Sequence, residues 1–245
     1  MLQGGSLRLF RIAGITVFLH FTWFLVGAYE VTVLSSRYTS VMWAVYEYLA
    51  LFLIVLMHEF GHALACRQVG GRADQIVLWP LGGIAFVAPP PRPGAMLWSI
   101  VAGPLVNVAL LPVLELALIF ARQHGWMYQA PDAYRLISYI RLINIVVLIF
   151  NLLPIYPLDG GQMLRALLWY PFGRIRSLQI ACAIGFVGGA ALAGYGFLSS
   201  SVWLIIMAFF LLSRSVAGWQ QASALAAEER ESRQIQQDLR ERPVL

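Results

Sequence analysis

The sequence of 245 residues contains no lysine and few charged side chains of any kind. Charged residues make up 12% of the chain, about half of the ~25% found in soluble globular domains. The hydrophobic share is 60%, and the mean hydropathy is +0.72. This composition excludes an ordinary soluble domain and indicates a protein that lies in a lipid bilayer.

Cysteine is also scarce, with two in the chain. Cys66 and Cys182 lie in or beside apolar segments, where a lone cysteine behaves as a small hydrophobe. We therefore assign them neither a disulfide nor a metal.

The net charge of +5 comes from arginines that flank apolar segments, as orienting charges in membrane proteins do, and it does not predict a nucleic-acid partner.

Several segments approach or exceed the roughly 20 apolar residues that cross a hydrocarbon core. They are 12–34, 42–66, 95–121, 134–153, 177–198 and 201–218. The first is too long for the apolar region of a signal peptide, so we expect a span there and no cleaved leader. The sequence predicts an all-α polytopic membrane protein with about six transmembrane helices. We expect residues 1–220 to form one domain and the polar residues 221–245 to form a cytoplasmic tail helix.

The connection between the second and third predicted spans has a different character. Short β-prone runs lie on either side of Gly82-Gly83, which predicts a strand pair or hairpin too short to span. Irregular backbone at membrane depth is tolerated only where protein or a water-filled cavity covers it. The proline-rich segment 89–93 then predicts a stiff, extended connector.

The arginines predict the orientation of the chain. If the N-terminus is cytoplasmic, thirteen arginines lie on the cytoplasmic side and four lie outside. This is the bias of the positive-inside rule, so we expect both termini in the cytoplasm.

One predicted span contains the pentapeptide His58-Glu59-Phe60-Gly61-His62. Two histidines four residues apart differ by about 40° around a helix, so both imidazoles point to one side. This is the ligand geometry that zinc accepts, and the glutamate of an H-E-x-x-H motif is the usual general base of a metalloprotease. Ionisable side chains are costly in a membrane, which favours chemistry over a structural polar cluster.

A catalytic zinc needs a third protein ligand and one position open to water. The acidic candidates in or beside the predicted spans are Glu30, Glu47, Glu115 and Asp159. On the predicted topology Glu30 and Glu47 lie near the outer face, a poor match in depth to the histidines. Asp159 lies on the cytoplasmic side, where prolines and a glycine pair interrupt the helix. An unwound segment there can turn the carboxylate back toward the histidines.

Three motifs follow one another along the chain: residues 58–62, the stretch Ala102-Gly103-Pro104-Leu105-Val106-Asn107, and the stretch from Phe150-Asn151-Leu152-Leu153-Pro154 to Asp159-Gly160-Gly161. In order and spacing they resemble the site-2 protease family of intramembrane zinc metalloproteases, in a minimal form without PDZ or CBS domains. The resemblance implies one zinc ion per chain, with His58, His62 and Asp159 as ligands and Glu59 as catalytic acid/base. It also implies that Asn107 binds the substrate or polarises its carbonyl.

The resemblance further implies substrates that are single-span membrane proteins and a place in the cell membrane of a bacterium. The β-prone segment around Gly82-Gly83 could bind an unwound substrate as an added strand. Asn107 has an alternative role as a hydrogen bond between packed helices near Gly103. His20 could support the site from the first span, whereas we expect His124 to be solvated in a loop.

Two other functions stay open at this point. A membrane transporter or metal-ion permease could use the His/Asp cluster as transient ligands, although a permease needs several weak sites along a pathway. An inactive relative could act as a binding module, although the complete set of histidines, glutamate and aspartate argues against it.

Overall fold

The structure is a computed structural model that describes residues 5–79 and 82–241, and for 82–85 and 237–241 the backbone alone. Within it the chain divides into two compact units, Met1–Leu152 and Leu153–Leu245.

The described part of the first unit contains a small sheet and a set of helices joined by short connections. The strands are β1 (Ser6–Ile12), β2 (Ile15–His20), β3 (Arg72–Trp79) and β4 (Gly82–Ala88). The helices are α1 (Thr22–Leu34), α2 (Val41–Gln68), α3 (Pro93–Gln123), the short α4 (Trp126–Gln129) and α5 (Pro131–Leu152).

The strands form one sheet in the order β1-β2-β3-β4, in which β2 and β3 run parallel and the other two pairs run antiparallel. The predicted strand pair is β3 and β4, with Ile76 opposite Ala85. The residues that join these two strands, 80 and 81, lie outside the described residues. The sheet is larger than the predicted hairpin because β1 and β2 join it from the N-terminal part of the chain.

The predicted first span at 12–34 is wrong as a single helix. Its first half is β2, where Ile15, Val17 and Leu19 are buried in alternation against the core of the first unit. Its second half is α1, whose 13 residues extend about 20 Å, less than the ~30 Å hydrocarbon core. Hydropathy cannot separate these cases, because a buried strand and a buried helix are both apolar runs.

Helices α2 and α3 approach each other closely where α2 carries Gly61. A Cβ on Gly61 would lie 2.6 Å from the carbonyl oxygen of Ala102 in α3, so a larger residue would push the helices apart. The N-terminus of α2 is capped by Ser40, whose Oγ accepts from the backbone N–H of Met42 at 3.3 Å. The proline-rich connector ends where α3 begins, with Pro93 in its first turn.

A polar cluster joins the start of α2 to the start of α5. The Tyr38 hydroxyl donates to Oε2 of buried Glu47 at 2.6 Å, and the backbone N–H of Thr39 donates to Oδ2 of Asp132 at 3.0 Å. Burial, followed by the bond to Glu47, raises the pKa of Tyr38 above that of a free tyrosine. These bonds tie the segment between α1 and α2 to α5.

The second unit consists, in its described part, of the helices α6 (Asp159–Leu198) and α7 (Val202–Glu241) and the segment before them. Gly173 has φ 78° and ψ 173°, so α6 is two helical stretches joined at this residue. The predicted hairpin at 199–201 separates α6 from α7. Leu178, Cys182 and Ala222 form the buried core of this unit, which agrees with the apolar role assigned to Cys182.

Among the described residues, five helices are long and apolar enough to cross a membrane: α2, α3, α5, α6 and α7. The prediction of a mostly helical, polytopic membrane protein with a short β segment after the second predicted span is therefore confirmed. Helix α7 runs without interruption through residue 220, so the division into residues 1–220 and 221–245 stays a prediction.

Candidate metal centre

The H-E-x-x-H motif lies in the C-terminal half of α2, with all three ionisable side chains buried. His58, Glu59 and His62 expose 3%, 6% and 7% of their surface. One ligand atom from each lies within 4.8 Å of the other two. The helix thus brings two imidazoles and a carboxylate together at one buried point, as the spacing predicts.

The orientation of His62 is fixed by α3. Its Nδ1 lies 2.9 Å from the backbone carbonyl oxygen of Ser99. A carbonyl can only accept a hydrogen bond, so Nδ1 carries the proton and the neutral ring has its lone pair on Nε2.

The orientation of His58, which lies in α2, is fixed by a side chain of α3. Its Nδ1 lies 2.6 Å from Oδ1 of Asn107. The Nδ2 of Asn107 donates to Oδ1 of Asn144 in α5 at 2.8 Å, and both asparagines are fully buried. His58 therefore also donates through Nδ1 and has its lone pair on Nε2.

The two Nε2 atoms face each other at 3.0 Å. With both rings donating through Nδ1, the two Nε2 lone pairs point into one shared space, where a single cation can contact both atoms. Two nitrogens bound to one tetrahedral zinc at ~2.0–2.1 Å stand roughly 3.3 Å apart, close to the observed separation. The donor set, two neutral imidazoles held by outer hydrogen bonds, fits a zinc ion.

Gly103 in α3 leaves room for the imidazoles. A Cβ there would overlap Nε2 of His62 and lie 2.9 Å from Nε2 of His58. The sequence placed Gly103 within a motif, but the reason for the glycine becomes visible only when α3 lies against α2.

Asp159, the predicted third ligand, belongs to the second unit. It is the first residue of α6, directly after the non-helical segment that the prolines predict, and it is 9% exposed. The first unit brings together His58, Glu59, His62 and Asn107. The assignment of Asp159 as a ligand stays a prediction.

Two of the other three acidic candidates, Glu47 and Glu115, have partners away from the histidines. Glu47 accepts from Tyr38 and lies 3.6 Å from a guanidinium nitrogen of Arg37. Glu115 accepts from Nε of Arg141 at 2.6 Å.

The two remaining histidines have separate surroundings. His20 is stacked on Trp79 at 3.9 Å between ring centroids, and its Nδ1 lies 2.7 Å from the Thr22 hydroxyl oxygen. His124 lies just after α3 with Nδ1 at 2.9 Å from the carbonyl oxygen of Phe120.

Sequence reasoning did not single out Asn144, because an asparagine in an apolar helix gives no signal of which helix it faces.

The fold and this centre define a polytopic membrane protein with a His-Glu-His cluster buried beside α3. The model of peptidase family M50 matches residues 46–131 and 123–194, more than half of the chain. The chain belongs to this family.

Two curated relatives and one solved structure are similar to the chain. A zinc metalloprotease of Methanocaldococcus jannaschii is 34% identical over 206 residues, which cover 84% of this chain and 58% of that protein. Stage IV sporulation protein FB of Bacillus subtilis is 33% identical over 142 residues, which cover 56% of this chain and 46% of that protein. The chain spans about half the length of these curated relatives.

The solved structure is that of the site-2 protease from Methanocaldococcus jannaschii. It matches with a TM-score of 0.63 and 29% identity, covering 87% of this chain and 95% of that chain. The resemblance to the site-2 protease family is confirmed.

Proposed function

We propose that the chain is an intramembrane zinc metalloprotease, which hydrolyses peptide bonds within or near the transmembrane segments of membrane proteins. The observation that carries the proposal is the 3.0 Å approach of the His58 and His62 Nε2 atoms, both rings being held through Nδ1. Membership of a peptidase family favours this activity over the alternative metal-ion permease.

One zinc ion would be held by His58, His62 and Asp159. When bound, zinc supplies Lewis acidity to water and to a carbonyl oxygen. The chain supports this with buried ligands, since burial strengthens electrostatic interactions and excludes competing water.

Glu59 is the proposed acid/base. Its carboxylate lies within 4.8 Å of the ligand atoms of both histidines, which is close enough to act on a water molecule beside them. The carboxylate takes a proton as the water oxygen attacks the peptide carbon. It then gives the proton to the amide nitrogen as the C–N bond breaks.

Asn107 stays a predicted substrate-binding residue, but its bonds support another role. Its Oδ1 accepts from His58, its Nδ2 donates to Asn144, and its side chain is fully buried. Only the second N–H of Nδ2 is left to donate to a scissile carbonyl, and the side chain is already held in place by its bonds to His58 and Asn144. We propose that Asn107 acts chiefly by holding His58.

The proposed substrates are single-span membrane proteins whose helix unwinds locally, because peptide bonds in a helix are hydrogen-bonded. Strand β4 pairs with β3 and is the last strand of the sheet as described. Its other edge would offer an unwound substrate the backbone hydrogen-bond partners that hydrocarbon lacks.

The proposed location is the cell membrane, with both termini in the cytoplasm. Ten residues separate His58 from the end of α2 at Gln68, or about 15 Å along the helix. We expect a polar path of this length from the cytoplasmic surface to the centre.

The test uses three cell lines, which express the wild-type protein, Glu59→Gln or His58→Ala. Quantitative mass spectrometry compares the membrane proteins of the three. Intact substrates should accumulate with either variant, and Glu59→Gln should lower the cleavage rate by about 10²–10⁴-fold, the usual contribution of a general acid/base. Purified Glu59→Gln should retain zinc, whereas His58→Ala should lose it.

If Glu59→Gln cleaves as the wild type does, the proposed protease is wrong. If liposomes that contain the wild-type protein take up zinc and liposomes that contain Glu59→Gln do not, the permease is the better description.

A further inference from the structure

We propose that Asn144 is a positioning residue that sets the tautomer and orientation of His58, and with them the zinc affinity of the centre. This inference rests on the proposed zinc site. Asn144 lies in α5, is fully buried, and hydrogen-bonds to Asn107 on α3 through both ends of its amide.

The orientation of the Asn144 amide is fixed by a backbone group. Its Nδ2 lies 2.9 Å from the backbone carbonyl oxygen of Asn107, which can only accept. The amide nitrogen must therefore face this carbonyl. Oδ1 of Asn144 is then left on the other side, where it accepts from Nδ2 of Asn107 at 2.8 Å.

This second bond fixes the Asn107 amide in turn. Because its Nδ2 faces Asn144, its Oδ1 faces Nδ1 of His58 at 2.6 Å. An amide oxygen can only accept, so the His58 proton is on Nδ1 and the lone pair is on Nε2. The tautomer of His58 thus follows from a backbone carbonyl through two asparagine side chains.

Without Asn144, nothing in this set of hydrogen bonds fixes the orientation of the Asn107 amide. Rotation of the Asn107 amide by half a turn would then present Nδ2 to His58, and Nδ1 would have to accept. The imidazole proton moves to Nε2 in that state, and a protonated Nε2 cannot bind a metal. Asn144 therefore selects the state of Asn107 in which His58 is a ligand.

The two histidines differ in this respect. The partner of His62 is the backbone carbonyl of Ser99, whose polarity no substitution can reverse. The partner of His58 is a side-chain amide with two possible orientations. Only His58 needs a residue such as Asn144 to define its tautomer.

The first experiment measures zinc affinity by chelator competition on purified protein in detergent. Asn144→Leu is similar in size and removes both bonds, so we expect zinc to bind about 10-fold more weakly, the lower end of the range for an outer hydrogen-bond partner. The matched control is Leu148→Ala, one turn along α5 at another buried position. It should reduce thermal stability and leave zinc affinity unchanged.

A conservative variant covers the case in which Asn144→Leu does not fold. Asn144→Asp keeps the size of the side chain and the acceptor for Nδ2 of Asn107, so Asn107 should keep its orientation. Its zinc affinity should lie nearer to wild type than that of Asn144→Leu. Equal losses in both variants, or no loss in either, would overturn the proposal.

A double variant separates positioning from packing. In Asn107→Asp both carboxylate oxygens accept, so His58 donates through Nδ1 whatever occupies position 144. Adding Asn144→Leu to this background should change zinc affinity by less than about 2-fold, since outer partners act through the ligand they orient. An undiminished loss would mean that Asn144 acts through packing alone.

Imidazole nitrogen NMR on histidine-labelled, metal-free protein reads the tautomer directly. The His58 signals, identified by their loss in His58→Ala, should show a protonated Nδ1 in the wild type and a mixture of tautomers in Asn144→Leu. An unchanged tautomer would overturn the proposal. This readout decides the matter even if the wild type bound no zinc or cleaved no peptide, results that would instead refute the proposed function.

Discussion

Gly103 faces the imidazole of His62 so closely that a Cβ at position 103 would overlap Nε2, while the other ring nitrogen, Nδ1, donates to the Ser99 carbonyl. Helix α3 can lie against the two histidines of α2 only because this residue has no side chain. The glycine and the histidine therefore form one structural requirement of the candidate metal centre.

We predict that Gly103→Ala lowers zinc affinity, because its methyl group would occupy the space in front of both imidazoles. The loss should be no smaller than the about 10–100-fold that follows removal of a hydrogen-bond partner of a metal ligand. The control is Gly194→Ala in α6, where a Cβ would meet nothing within 4 Å. Chelator competition on the two purified variants measures the difference. Equal zinc affinity in both would contradict the geometry described for Gly103.

Asp159 provides the second prediction. If its carboxylate is the third ligand, Asp159→Asn should reduce zinc affinity by more than the about 10–100-fold typical of outer partners. Asp74→Asn is a suitable control, since the Asp74 side chain is 75% exposed and pairs with Arg67. Zinc content after dialysis against a chelator is the measurement, and full retention by Asp159→Asn would rule out the ligand role.

Much of the site could be predicted from the sequence because its parts are local. The spacing of His58 and His62 places both on one side of a helix whatever lies around it. The prolines before Asp159 interrupt a helix whatever packs around it, and residues 153–158 form no helix in the structure. Apolar length alone located the five helices, within the described part of the chain, that are long and apolar enough to span a membrane.

The parts that could not be predicted depend on contacts between distant segments. The run that contains Ile15, Val17 and Leu19 became a strand because it pairs with β1 and β3. Its composition alone suits a span equally well. The role proposed for Asn144 depends on its contact with Asn107, which is 37 residues away in sequence.

The edge of β4 that faces away from β3, the outer edge of the sheet as described, gives a third prediction, which concerns the substrate. In an antiparallel pair successive backbone N–H groups point alternately toward the partner strand and away from it. Proline substitutions at Ile84, Ala85 and Phe86 should therefore fall into two classes. Those whose N–H faces β3 lower the thermal stability, whereas those whose N–H faces the outer edge leave the ladder intact.

If the substrate adds as a strand, the second class should lose cleavage while keeping thermal stability and zinc content. Cleavage assays and melting curves on the three variants test this together. Wild-type cleavage by every variant that melts normally would show that the substrate does not pair with β4.

The buried contact between Tyr38 and Glu47 gives the last prediction. Tyr38→Phe removes the donor that lies 2.6 Å from Oε2 of Glu47, which is 4% exposed. A buried acceptor left without its partner costs about 1–3 kcal/mol, so the melting temperature should fall at neutral pH. Tyr128→Phe, at a position 88% exposed, should leave it unchanged.

The same contact has a pH dependence of defined sign. Burial, followed by the bond to Glu47, raises the pKa of Tyr38 above the value of about 10 that tyrosine has in an unfolded chain. The folded state then holds the proton more tightly, so this contribution to stability is complete below about pH 10 and is lost as the pH rises further. Melting curves of the wild type should show a steeper alkaline decline than those of Tyr38→Phe, and parallel declines would mean that Tyr38 titrates as an ordinary tyrosine.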